Sequence, residues 1–398
     1  MATRVVWRCD SDDSRKDPMK AKIMDAALPT PGFAENDGIE IREAVAADND
    51  ALLALTRVTP MAGNISLRID RDPDFFALLQ ARGESIVFVA TCEGKVIGCM
   101  SAAIHPAYVG GVAETMAHAN DLKVHPLFTG RRLAVRLIAA VENYLRARRI
   151  DLSFNLVADG NQRVMALAEG RHGTPVQVML GRFFVDQLLP SPFRRRSGRY
   201  LAEEPRAEDL PEIADILDRS NRERTFAPPV VVADLVARTE STEPGLFRKT
   251  LVVRDQGRVI ATLTIEDTQN LRQNVLIGLP ASLRFALGML RMLALPVPRL
   301  SIPRIGAPLA TLYVRLMACA QGHEAALRPL IAEARVEAFR RRYTFLSVGL
   351  HERDPLRCVV AGIPRFTFTS HAMATSLITP NRVKILVDQV PYEDFALV

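Results

Sequence analysis

Residues 119–137 read Ala-Asn-Asp-Leu-Lys-Val-His-Pro-Leu-Phe-Thr-Gly-Arg-Arg-Leu-Ala-Val-Arg-Leu, and their types and spacing suit them to hold an anion. Leu122 and Val124 alternate with polar neighbours as a strand does, His125-Pro126 ends the strand, and a short basic loop opens into an amphipathic helix. Strand, tight loop and helix in that order gather backbone N–H groups at a helix N-terminus, where a phosphate is favoured. Gly130 lets the backbone approach the anion, and Arg131 and Arg132 add charge where the helix dipole already attracts it. The same pattern also describes a solvated turn, so its weight comes from the elements around it.

Those elements follow a definite order. Residues 39–44 alternate as a strand, and 48–58 form a helical pattern led by capping residues. Strands at 85–91 and 95–103 are joined by the turn Cys92-Glu93-Gly94. A strand at 114–124 leads into the loop and a helix at 132–148 whose apolar face is Leu133, Leu137, Ile138, Val141 and Leu145. A strand at 152–157, a helix start at Asn161 and a strand at 176–184 complete the series.

This order, together with the loop, resembles the GNAT acyltransferases. Their cofactor loop runs Leu-x-Val-x-Pro, an aromatic, then Arg/Gln-x-x-Gly-x-Gly/Ala. Leu122, Val124, Pro126, Phe128, Gly130 and Ala134 fit it, while Thr129 stands in place of the usual Arg or Gln and Arg132 in place of the central glycine. The resemblance covers residues 38–187. It implies acetyl-CoA or another acyl-CoA as cosubstrate. The pantetheine would pair with the backbone of Leu122, Lys123 and Val124. The pyrophosphate would rest on the N–H groups of Thr129, Gly130, Arg131, Arg132, Leu133 and Ala134. Asn161 matches a position beside the cofactor in the family and is equally a good helix N-cap.

Acyl transfer to an amine needs the amine neutral, and a free alkyl amine titrates near pH 10, so a base must take its proton. His118 sits four residues before Leu122, where histone-acetylating relatives carry a glutamate, and imidazole is suited to neutral pH. A histidine held structurally in a strand is the competing reading. Glu114 is a second candidate base. Asp121 has the opposite strand parity from His118, which points it to the other face. Many relatives also carry a tyrosine that protonates the leaving thiolate; here the run is Leu167-Ala168-Glu169-Gly170-Arg171-His172-Gly173, with alanine in its place. A non-catalytic sensor or interaction protein on the same fold is therefore the alternative.

The second half repeats the theme. Tyr200–Leu210 resembles the first strand and its acidic cap, a helix follows at 210–219, and strands at 250–254 and 258–266 flank Asp255-Gln-Gly257. After an apolar insertion at 279–300 come a strand at 311–317, a loop at 321–326 and a helix at 327–342. A strand at 343–348 and a short helix at 354–361 precede two closing strands at 366–376 and 383–387. Glu324 takes the central glycine position of this loop and sets negative charge against a phosphate. The expected architecture is α/β, with two tandem GNAT-like domains, each a mixed sheet flanked by helices. Residues 1–37 form an extension, 38–188 the acyl-CoA-binding domain, 189–199 a linker and 200–398 a degenerate second domain.

Composition bounds the rest. The chain has 398 residues, enough for two domains, with 48% hydrophobic and 24% charged residues and a net charge of +6. No segment offers the roughly 20 uninterrupted apolar residues of a membrane helix. Five cysteines without Cys-x-x-Cys spacing predict free thiols and a cytoplasmic protein. The arginine run at 194–196 lacks interleaved aromatics and does not predict nucleic-acid binding. No metal is expected, because paired-histidine spacing is missing. The partner expected is a small-molecule or peptide amine, and a homodimer is left open.

Overall fold

The computed structural model describes residues 38–61, 66–130, 132–193, 199–240, 247–278, 285, 289, 301 and 303–398. The expected extension at 1–37, Arg131, the arginine run at 194–196 and nearly all of the apolar insertion at 279–300 lie outside the described residues. Residues 40–398 cluster as one compact unit.

The strands are β1 (Ile39–Glu43), β2 (Ser66–Asp70), β3 (Glu84–Cys92), β4 (Lys95–Val109), β5 (Val112–Val124), β6 (Leu152–Ala158), β7 (Val178–Leu188) and β8 (Arg224–Thr225). They continue with β9 (Arg248–Asp255), β10 (Arg258–Asp267), β11 (Gln273–Gly278), β12 (Thr311–Cys319), β13 (Phe345–His351), β14 (Arg365–Ser376) and β15 (Val390–Pro391). The described α-helices are α1 (Asn49–Val58), α2 (Ala77–Gln80), α3 (Leu133–Ala147), α4 (Gln162–Ala168), α5 (Leu210–Arg222), α6 (Val232–Glu240) and α7 (Leu327–Arg340). No described helix is long and apolar enough to cross a membrane.

Eleven strands form one mixed sheet in the order β1-β3-β4-β5-β6-β14-β7-β13-β12-β10-β9. The same local pattern occurs twice. β3-β4-β5 is antiparallel and β5-β6 parallel, with α3 against one face. β9-β10-β12 is antiparallel and β12-β13 parallel, with α7 against a face. α3 buries the leucine, isoleucine and valine stripe at 133, 137, 138, 141 and 145, which is the spacing of one helical face. Gly98 on β4 makes room for it, since a Cβ there would lie 3.2 Å from Leu137 Cδ1 and 3.0 Å from the Lys123 carbonyl oxygen.

Two expectations are corrected. The strand at 366–376 does not close the second half. As β14 it lies between β6 and β7 of the first, antiparallel to both. In return β7 sits beside β13 of the second half. Alternation tells which side chains face the core but not which strand lies alongside, so each half lends a strand to the other. The second correction concerns 383–387, expected as a strand: Arg382–Leu386 is a short 3-10 helix. Val383 and Leu386, three apart and both buried, suit one face of that tighter helix. β2, β11 and α6 were not anticipated; β2 and β11 pair as a separate two-stranded sheet.

Candidate active site

The positioning feature is a fork. The β5–β6 ladder has only two rungs, Ala117–Ser153 and His118–Phe154. Beyond His118 the strand continues past a bulge against β4, where Asp121 takes a left-handed φ of 55°. Leu122 and Val124 then line a cleft of about 760 Å³ between β5, the start of α3 and α4. Thr129, Gly130, Arg132, Leu133 and Ala134 complete one wall; Asn161, Arg163, Leu167 and His172 complete the other. Among the described residues the lining carries arginines and a histidine but no carboxylate, together with apolar Leu122, Val124, Phe128 and Leu133. That combination suits a ligand with a phosphate end and a greasy thread.

Local backbone geometry supports the anion role. Gly130 has φ 87°, with open space where a Cβ would be. Arg132, the N-cap of α3, is left-handed at φ 52° and has no side-chain cap. The left-handed backbone explains why a glycine suits this position. Arg132 donates to the His172 carbonyl oxygen at 3.3 Å across the cleft mouth. Asn161 caps α4, its side chain accepting from the Val164 N–H, and it lines the cleft. Lys123 turns from the cleft to Asp121 at 3.4 Å. Asp121 itself is paired with Arg71 at 2.8 Å and takes the Ser101 hydroxyl. Arg131 is outside the described residues.

His118 lies at the root of the fork, 1% exposed, and faces a second cavity of about 450 Å³. Its Nε2 is 2.5 Å from Glu393 Oε2, and its Nδ1 is buried without a partner. The other Glu393 oxygen accepts from Arg82 at 2.7 Å. Burial pushes the Glu393 carboxyl up, but Arg82 and His118 outweigh it and hold the group at about 2. Burial and then Arg82 push the His118 imidazole down, against the pull of Glu393. The pair is an anionic carboxylate accepting from a neutral imidazole. Its free lone pair is on Nδ1. Glu114 stands at the other end of β5, ion-paired with Arg382, and lines neither cavity. Ala168 is buried against Val157 and Met373 of the exchanged β14.

The equivalent fork of the second half is filled. β12 and β13 pair for three rungs, then diverge past the left-handed Leu316, φ 47°. Pro391, Tyr392, Glu393, Asp394 and Phe395 occupy the opening and leave a cavity of only about 40 Å³. The Phe395 ring presses on Gly349, where no Cβ would fit. Arg315 clasps Asp394 at 2.5 Å. The segment that closes this fork thus delivers Glu393 to His118. Glu393 and Arg82 carry no motif in the sequence. The one cue is the pair of adjacent acids in an otherwise apolar stretch, Pro391-Tyr-Glu-Asp-Phe-Ala-Leu397.

Residues 48–173 match the sequence model of the acetyltransferase (GNAT) family. Saccharomyces cerevisiae N-myristoyltransferase with bound myristoyl-CoA is similar in structure at 10% identity and TM-score 0.58, over 91% of this chain and 87% of that one. A tandem GNAT protein from the clavulanic acid biosynthesis pathway is similar at 14% identity and TM-score 0.52, over 86% and 99%. At such identities the likeness is one of fold. No curated protein matches the chain.

Proposed function

We propose that this chain, whose residues 48–173 form a GNAT acetyltransferase-family domain, is an acyl-CoA-dependent N-acyltransferase using the β5–β6 fork as its cofactor cleft. The observation that carries the reading is one strand serving two cavities: the carboxylate-free cleft at Leu122 and Val124, and the cavity of His118 four residues earlier. Acetyl-CoA is the expected cosubstrate, with Thr129, Gly130, Arg131, Arg132, Leu133 and Ala134 at its phosphates and Asn161 beside it. The amine enters from the His118 side.

In this scheme the amine nitrogen attacks the thioester carbonyl and its proton passes to His118 Nδ1. Glu393 holds Nε2–H and steadies the imidazolium that results. Collapse breaks the carbon–sulfur bond, yielding the amide and the CoA thiolate, which takes the proton back from His118 or from water. Glu114, bound to Arg382, is assigned no step. Ala168 favours the second reading, a CoA-binding protein without turnover, because it stands where the resemblance expects the tyrosine that protonates the leaving thiolate.

Calorimetry with acetyl-CoA and CoA, followed by thiol release with a panel of amines, tests both. Saturable binding with amine-dependent thiol release is expected. Binding without release with any amine selects the sensor, and no binding at millimolar ligand removes the cofactor cleft.

A further inference from the structure

The cavity at His118 continues beyond its own walls. Leu235, Arg238 and Leu316 line it and also line a second cavity of about 620 Å³ beside α5, α6 and β9. Behind that shared wall Glu266, 4% exposed, receives three guanidiniums: Arg238 at 2.6 Å, which lines both cavities, Arg315 at 2.8 Å, which lines the His118 cavity, and Arg248 at 3.0 Å, which lines the other. Among the described residues Asp394 is the only other carboxylate paired with the cluster, and it takes Arg315. Three cations against two anions leave one positive charge in excess.

The surrounding charges do not cancel it. Arg82 is matched by Glu393, Lys249 by Glu204 at 2.7 Å, and Arg206 by Glu208 at 3.1 Å. Asp234 also lines the His118 cavity, but it is solvent-exposed, where water screens its charge, and it pairs with none of the three arginines. Arg238 and Arg248 each keep a buried Nε without a hydrogen-bond partner. The Arg238 guanidinium is also held below its ordinary value, first by burial and then by Arg315. These are the marks of a cation pair short of a counter-ion. The cavity that joins this wall to His118 also has an apolar side, with Met116, Phe154, Phe226 and Leu235.

We propose that the acceptor is an amine bearing a carboxylate beyond an apolar spacer, its amine at His118 and its carboxylate on Arg238 and Arg248. The amine end rests on the acyl transfer proposed above; the carboxylate end stands without it. A diamine of the same length would set a cation against the excess charge, and a plain alkylamine would leave both Nε donors unmatched.

Calorimetry on the full chain, with CoA present and absent, reads the carboxylate end alone. The probes are ω-aminobutanoate, ω-aminohexanoate and ω-aminooctanoate, each against the alkylamine and the diamine of equal length. At least one aminocarboxylate should bind about tenfold or more tighter than its alkylamine, and the diamine should bind weakest. In Arg238→Met that preference should collapse to about twofold or less, while Arg238→Lys retains part of it. Glu266 keeps Arg248 and Arg315 in both variants, and melting curves verify the fold; should Arg238→Met fail to fold, Arg248→Met replaces it. Aminocarboxylate binding without thiol release upholds the carboxylate end and removes the acceptor role together with the catalytic reading. Equal or tighter binding of alkylamine or diamine, or a preference unchanged in the Met variant, overturns it.

Discussion

Glu393→Gln is the sharpest test of the His118 pair. The carboxylate raises the imidazole's affinity for a proton, so its loss should lower kcat by about tenfold or more and move the acid limb of the rate profile further down in pH. In the parent that limb should already lie below 6.5, because burial favours neutral His118. A limb unchanged by the substitution would assign Glu393 to structure alone. Arg132 offers a test with opposed signs. Arg132→Gly relieves a left-handed backbone that costs a side-chain residue roughly 1–2 kcal/mol, so the unliganded protein should melt higher. It also removes an exposed cation from the phosphate end, so CoA should bind several-fold more weakly, with a shallower salt dependence. Isothermal titration at two salt concentrations beside a melting curve separates the two effects.

Among the elements, the segment that fills the second fork links one half to His118 of the other. In Gly349→Ala a Cβ would displace the Phe395 ring and with it Glu393. Turnover should fall about tenfold or more while CoA affinity stays within about twofold, since Gly349 lines only the filled fork. Loss of both together would show general unfolding instead. The first fork was readable in the sequence because its parts are contiguous: Leu122, Val124, Gly130 and Ala134 fall within one strand, loop and helix. His118 was readable as a candidate, its partner was not, because Glu393 lies 275 residues away and meets it only through the tail. Glu324 opposes a second phosphate loop by charge, whereas Phe395 and its neighbours fill the fork sterically. The exchange of β7 and β14 was equally hidden, as both strands show ordinary alternation and their neighbours are set by the whole sheet.

For the molecule as a whole, one open fork and one filled fork predict a single CoA per chain by calorimetric stoichiometry; two equivalent sites would refute the account of the tail. Acid should weaken the fold in stages. Burial holds His105 and His351 at about 4, below their ordinary 6.5, and pushes His118 down as well. The unfolded chain therefore binds protons that the native one refuses, and melting temperature should fall from pH 6.5 toward 4. Glu393, at about 2 against an ordinary 4.5, adds a further loss as pH drops from 4.5 toward 2. A melting temperature flat from pH 7 to 4 would contradict the buried neutral histidines. The interleaved sheet also bears on how the protein is made. β7 ends at Leu188 and β14 starts at Arg365, so at synthesis rates of about 5–20 residues per second the nascent first half waits on the order of ten to thirty seconds with two open strand edges. Such edges are natural clients for ribosome-associated chaperones, and a chain severed between 189 and 199 should give fragments that aggregate when expressed singly and assemble when expressed together.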